Sequence, residues 1–269
     1  MAKLNQGLAW IADLVQIFAL DRFHPQRRQF SLLASTACRS LKFHAHCKIP
    51  ALGLNELLQR LSPREIPSVS LPGPASDLGD VGSQTYYHVL ASVVRALEPK
   101  TILEFGTYLG VSALTMALNA QPECQIYTVD LPDETSPDFE PSLNQVDRGH
   151  ISTSRFRVGE AFLRSTCREQ ITQIRADSMT FRAEDSIRQA DLVLVDGGHS
   201  LPVVTKDTEN AIKILSPSGV IIWDDYFHLY PDVVMFLDRL AEERTLYRIQ
   251  GTNLVIHSPP WQTASRSIH

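Results

Sequence analysis

From Gln84 to His257, short apolar runs alternate with stretches of helical period. Gln84–Leu97 puts Tyr86, Val89, Leu90, Val93, Val94 and Leu97 on one face, the stripe of a helix that packs on a sheet. Ile102 and Leu103 open a β-prone run. After Gly110 the period turns helical again, with Val111, Leu114 and Leu118 on one face. Further strands are expected at Gln125–Val129, Ile171–Arg175, Asp191–Val195 and Val220–Trp223. Leu192–Val195 is continuously apolar, as a strand buried on both faces requires. Val204–Leu215 reads as a helix and Ser216–Gly219 as a turn. Pro231 opens a helix with Val233, Phe236, Leu237 and Leu240 inward. Thr245–Ile249 and Asn253–His257 read as a hairpin around Gln250-Gly251-Thr252. This alternation predicts an α/β fold, a mostly parallel sheet flanked by helices.

The N-terminal part reads differently. Leu8–Leu20, Phe30–Phe43 and Leu54–Leu61 are expected helices, and the stretch from Ser62 to Gly82 is rich in Pro, Ser, Gly and Asp. The expected organisation is a helical extension and linker over 1–80, an α/β domain over 81–258 and a loose tail over 259–269. Leu131–Arg168 is a long polar interval, read as a lid over a substrate, with a short helix near Glu160–Cys167. Arg148 and His150 lie in it as candidates to reach a pocket, or as residues of a merely solvated loop.

Composition narrows the class. The chain has 269 residues, enough for one large α/β domain plus an extension. A net charge of -5 provides no basic excess for a phosphate backbone, so nucleic acid is not expected as a partner. Leu8–Leu20 is too short to span a bilayer, and no small-residue cleavage pattern follows it. No membrane association is expected. The helix is read instead as a core or homo-oligomer contact, in a cytoplasmic protein. Cys38, Cys47, Cys124 and Cys167 are scattered and read as reduced thiols. His44, His46 and Cys47 lie close together, but no second cluster at ligand spacing completes a zinc site.

The informative stretch is Thr101–Ser112, Thr-Ile-Leu-Glu-Phe-Gly-Thr-Tyr-Leu-Gly-Val-Ser. It reads as a buried strand, a glycine turn and a helix start. Glycine lets backbone approach a ligand closely, and open parallel sheets bind ligands at the carboxyl ends of their strands. A dinucleotide site would show G-x-G-x-x-G, whereas this pattern is E-x-G-x-x-x-G. The whole string resembles motif I of the class I S-adenosylmethionine (SAM) dependent methyltransferases, in the form of the catechol-type and caffeoyl-CoA-type O-methyltransferases. That resemblance implies a Rossmann-like sheet of seven strands in order 3-2-1-4-5-7-6, with the last strand antiparallel. It covers about Gly82–Ser258. It also implies a SAM site in which Glu104, Gly106, Tyr108, Gly110 and Ser112 surround the methionine part. Val81 and Gly82 would cross the pocket. Asp177 and Ser178 would border the adenine, and Asp196 would lie beside the methyl donor. Asp130, ending the second strand, has the lone pairs to accept both ribose hydroxyls. Nicotinamide enzymes place an acid there too.

A second constellation lies at the ends of the fourth and fifth strands, Val195-Asp196-Gly197-Gly198-His199 and Trp223-Asp224-Asp225-Tyr226. Adjacent parallel strands bring these acids together. Three such carboxylates repel one another and raise their pKa values unless a hard cation relieves them, and oxygen-only ligands suit Mg²⁺. A coordinated hydroxyl is more acidic and held in place. His199, with an ordinary pKa near 6.5, can take its proton. The pattern resembles metal-dependent O-methyltransferases. D-x-x-H followed by an acidic pair is similar to the macrocin-type macrolide-sugar enzymes. That resemblance implies metal ligands Asp196, Asp224 and Asp225 and a base at His199. Phenol, catechol and sugar hydroxyls all stay open as acceptors. The competing readings are a metal-free SAM methyltransferase, a non-catalytic SAM-binding scaffold and a nicotinamide-dependent oxidoreductase.

Overall fold

The computed structural model describes residues 47–62, 68–73, 81–132, 145–154 and 156–257. The expected helices Leu8–Leu20 and Phe30–Phe43 and the tail from Ser258 lie outside them. The described residues belong to two compact units. One takes in 47–48 and 227–229, and the other holds 49–226 and 230–257. The second unit is the α/β body.

Its elements run β1 (Ala51–Leu52), α1 (Leu54–Leu61), α2 (Val81–Leu97), β2 (Thr101–Phe105), α3 (Val111–Asn119) and β3 (Gln125–Asp130). Then come α4 (Gln145–Ser154), α5 (Glu160–Leu163), β4 (Ile171–Arg175), α6 (Ala183–Ser186), β5 (Ala190–Val195) and α7 (Leu201–Ile214). The chain closes with β6 (Leu215–Trp223), α8 (Pro231–Glu243), β7 (Leu246–Ile249) and β8 (Val255–His257). The sheet order is β1-β7-β8-β6-β5-β2-β3-β4, and only β8 runs antiparallel to its neighbours. Without β1 this is the expected seven-strand order. The eighth strand is an addition: β1 pairs parallel with β7, Ala51 opposite Arg248. Two residues carry no periodicity, so pairing rather than sequence makes this strand.

The core forms as the patterning requires. Val89, Leu90, Val93 and Val94 of α2 are each at most 1% exposed, and burying each contributes about 1.5–3 kcal/mol. α2 packs on α1 and α3, while α7 packs on α6 and α8. Val233 and Leu237 of α8 are buried, but Phe236 and Leu240 are only half-buried. The turn expected at Ser216–Gly219 lies instead within β6, where the register shifts between Ala190 opposite Leu215 and Leu192 opposite Val220. Pro217 and Gly219 mark an irregular strand there, a common use of these residues. The hairpin turns at Gly251, whose φ is +79°. Among the described residues, Cys124 and Cys167 are free thiols, and no helix is long and apolar enough to cross a membrane.

Candidate active site

Register assembles the site. Val129, Phe105, Val195 and Trp223 stand opposite one another across β3, β2, β5 and β6. The next residues, Asp130, Gly106, Asp196 and Asp224, therefore emerge side by side at the carboxyl edge of the sheet. A cleft opens there, lined by Gly106, Tyr108, Asp130, Asp177, Ser178, Asp196 and His199 among others.

The glycine turn is fixed by close approach. Gly106 has φ +91°, and a Cβ on it would stand 1.9 Å from the Asp196 carbonyl oxygen. Gly110 has φ +79°, and a Cβ there would meet the Phe162 ring at 2.6 Å. Tyr108 takes a left-handed φ of +46° without being glycine. Its ring tilts against His150, 5.5 Å between centroids. Asp130 fastens this loop, because Oδ2 accepts the Thr107 and Tyr108 N–H groups at 3.0 and 2.8 Å and Oδ1 accepts that of Leu131 at 2.8 Å. Burial pushes Asp130 up, and these bonds pull against the shift.

Other expected residues are placed differently. Glu104 is fully buried under the loop, where Thr128 donates to Oε2 at 2.5 Å and Ser112 bonds to it as well. Burial raises Glu104 to about 8. Glu104, Gly110 and Ser112 thus build the floor and do not line the cleft. Val81 and Gly82 are the first residues of α2. Asp177 does, with its Oδ1 accepting the Met179 N–H at 2.9 Å in a local turn. His150 lines the cleft, and Arg148 does not.

Asp196, Asp224 and Asp225 offer oxygens that all lie within 4.8 Å of one another. Burial and then the neighbouring Asp225 push Asp196 up to about 7, and the same causes hold Asp224 well above the usual carboxylate range. Asp225 has φ +62°, a left-handed conformation that costs of order 1–3 kcal/mol in a non-glycine residue and clusters at functional sites. The donor set, three oxygen ligands short of positive charge, fits a hard divalent cation.

His199 is 8% exposed and bonded at both ring nitrogens. Nδ1 meets Asp147 of α4, and Nε2 meets Asp225 at 2.6 Å. Burial works against the charged ring, but the two carboxylates prevail and push His199 up to about 10. The near-neutral imidazole expected from the sequence is therefore a clamped imidazolium in this structure. Tyr230 stacks on it, 4.2 Å between centroids at 17°.

Glu104, Asp196 and Asp207 predict how stability responds to pH. Their ordinary values of 4.5, 3.8 and 3.8 rise to about 8, 7 and 7 by burial. A raised acid binds its proton more tightly in the folded state, so stability falls as pH climbs from the ordinary value through the raised one. Thermal melts of the ligand-free protein are expected to shift down by several degrees between about pH 5 and about pH 8. A midpoint rising over that range would contradict these environments.

Residues 103–226 match the family profile described as a methyltransferase domain. The matched stretch runs from within β2 to Tyr226, just past β6. No curated protein matches the chain in sequence. Among solved structures, the chain is similar to TrmN from Thermus thermophilus, at 22% identity over 50% of this chain and 37% of that one, with a TM-score of 0.35. It is also similar to a putative caffeoyl-CoA O-methyltransferase from Staphylococcus aureus, at 14% identity over 68% and 87%, TM-score 0.47. A third is the S-adenosylhomocysteine-bound methyltransferase PaMTH1 from Podospora anserina, at 17% identity over 89% and 98%, TM-score 0.47.

Around the cleft, local reading misses four residues. Tyr86, read only as part of an apolar stripe, donates to Asp196 Oδ2 at 2.7 Å. Tyr230 carried no signal. Asp147 is one acid among many in a polar interval. Asp207 was legible, since it sits between Val204 and Ala211 on the buried face of α7.

Proposed function

We propose that the protein is a SAM-dependent O-methyltransferase acting on a hydroxyl of a small molecule, with Mg²⁺ held by Asp196, Asp224 and Asp225 and His199 as general base. The observation that carries this reading is the convergence of the three carboxylates on one another, with Asp196 and His199 lining the cleft beside the glycine turn. SAM would lie along that turn, its ribose at Asp130 and its adenine at Ala176–Met179. Bound there, it supplies an electrophilic methyl group, and a cation at the acids lowers the pKa of the acceptor hydroxyl.

The chain's own residues do the rest. Gly106 lets the loop and the end of β5 close together, which sets where donor and acceptor meet. Tyr86 holds one oxygen of Asp196, leaving the other for a ligand. Asp147 accepts from Nδ1 and from the His199 backbone N–H, which fixes the ring and points Nε2 at Asp225 and the cleft. A base must be neutral, so that role belongs to the state in which Asp225 has turned away from Nε2. Proton transfer by such a residue contributes about 10²–10⁴-fold.

One observation favours a second reading, a metal-free methyltransferase. The imidazolium of His199 already supplies positive charge to Asp225. Methyl-transfer assays on a panel of phenols, catechols and sugars separate the two. Under the metal reading, EDTA abolishes turnover and Mg²⁺ restores it, while Asp196→Ala is inactive in both. Full turnover in EDTA would leave the metal-free reading. The apolar run Leu8–Leu20 of the sequence also supports a homo-oligomer, and a concentration-independent monomer mass in solution would contradict it.

A further inference from the structure

One buried acid of the cleft has no task in the mechanism above. Asp207 on α7 is 1% exposed, yet it lines the cleft beside Ser178, Met179 and Val203. α7 also buries Val203, Val204, Ala211 and Ile214 together with Thr208 and Asn210, and those two polar side chains are hydrogen-bonded. Ser178 bonds to its carboxyl, but the buried Oδ1 has no hydrogen-bond partner among the described residues. An orphaned acceptor of this kind is costly unless a ligand donor completes it. Burial accordingly lifts the group to about 7. Gly197 gives the carboxyl its place at the cleft wall, since a Cβ on it would stand 2.9 Å from Asp207 Oδ2. Asp177, the neighbouring acid, already spends Oδ1 on the Met179 N–H.

The surroundings point to the missing donor. Phe105, Ala176, Met179 and Val203 line the same cleft. Apolar walls beside an unpaired acceptor suit a flat heterocycle bearing an N–H group. We propose that Asp207 accepts a hydrogen bond from the exocyclic amine of the cofactor's adenine, and so sets the specificity for that base. The assignment rests on the reading of the cleft as a SAM site.

Calorimetric titration of the full chain with S-adenosylhomocysteine, and with its analogue carrying purine in place of adenine, tests it. Wild type is expected to bind the adenine form about tenfold to a hundredfold more tightly. Asp207→Leu, provided it melts cooperatively, is expected to bind the two within about twofold. Asp207→Ala serves should the leucine variant not fold. Equal binding of both compounds by wild type overturns the assignment, as does a folded variant that keeps the full preference. A wild type that binds neither compound removes the SAM reading itself.

Discussion

Gly106→Ala is expected to lose S-adenosylhomocysteine binding and to melt about 6–12 °C below wild type. Two effects combine. The residue has φ +91°, which an L side chain rarely adopts, and the new methyl would stand 1.9 Å from the Asp196 carbonyl oxygen. That contact is with backbone, so no rotamer relieves it. The ends of β2 and β5 must separate, at a cost of about 3 kcal/mol or more. Their separation displaces Asp196 as well as the loop. Gly149→Ala is the control, because nothing lies within 4 Å of an added Cβ there. Its midpoint is expected to stay within about 2 °C of wild type. Equal midpoints for both variants would mean that the turn is not built as described.

His199→Ala is expected to lower methyl transfer by about 10²–10⁴-fold while leaving S-adenosylhomocysteine affinity within about threefold. It is also expected to reduce stability. The imidazole joins Asp147, 4% exposed, to Asp225, and its removal strands buried charge. Breaking a buried pair in this way costs about 3–5 kcal/mol. Activity should therefore be read well below the variant's melting range. Near-wild-type turnover by a folded His199→Ala would remove the base from the mechanism and leave the ring a structural role between two acids.

The fold was legible because its signals are local. The apolar runs of β2, β3 and β5, the stripe of α2 and the glycine at 251 each declare themselves within a few residues. Once the strands are ordered, the row of Asp130, Gly106, Asp196 and Asp224 follows from register alone. What escaped was non-local. β1 exists only through its pairing with β7. α4 hides in a polar interval, and its Asp147 meets His199 across 52 residues of sequence. No spacing rule could join those two. Tyr86 shows the converse, an amphipathic side chain whose hydroxyl takes a polar partner while its ring serves the stripe. Asp207 was the missed opportunity, a charge at a position whose helical period demands an apolar residue.

The most direct measurement of the central claim is calorimetric binding of S-adenosylhomocysteine and of NAD to the wild-type chain, in Mg²⁺ and then in EDTA. The methyltransferase account predicts a saturable signal for S-adenosylhomocysteine and none for NAD. Binding of NAD alone, or of neither compound, would contradict the reading of the Gly106 turn on which the site assignments stand.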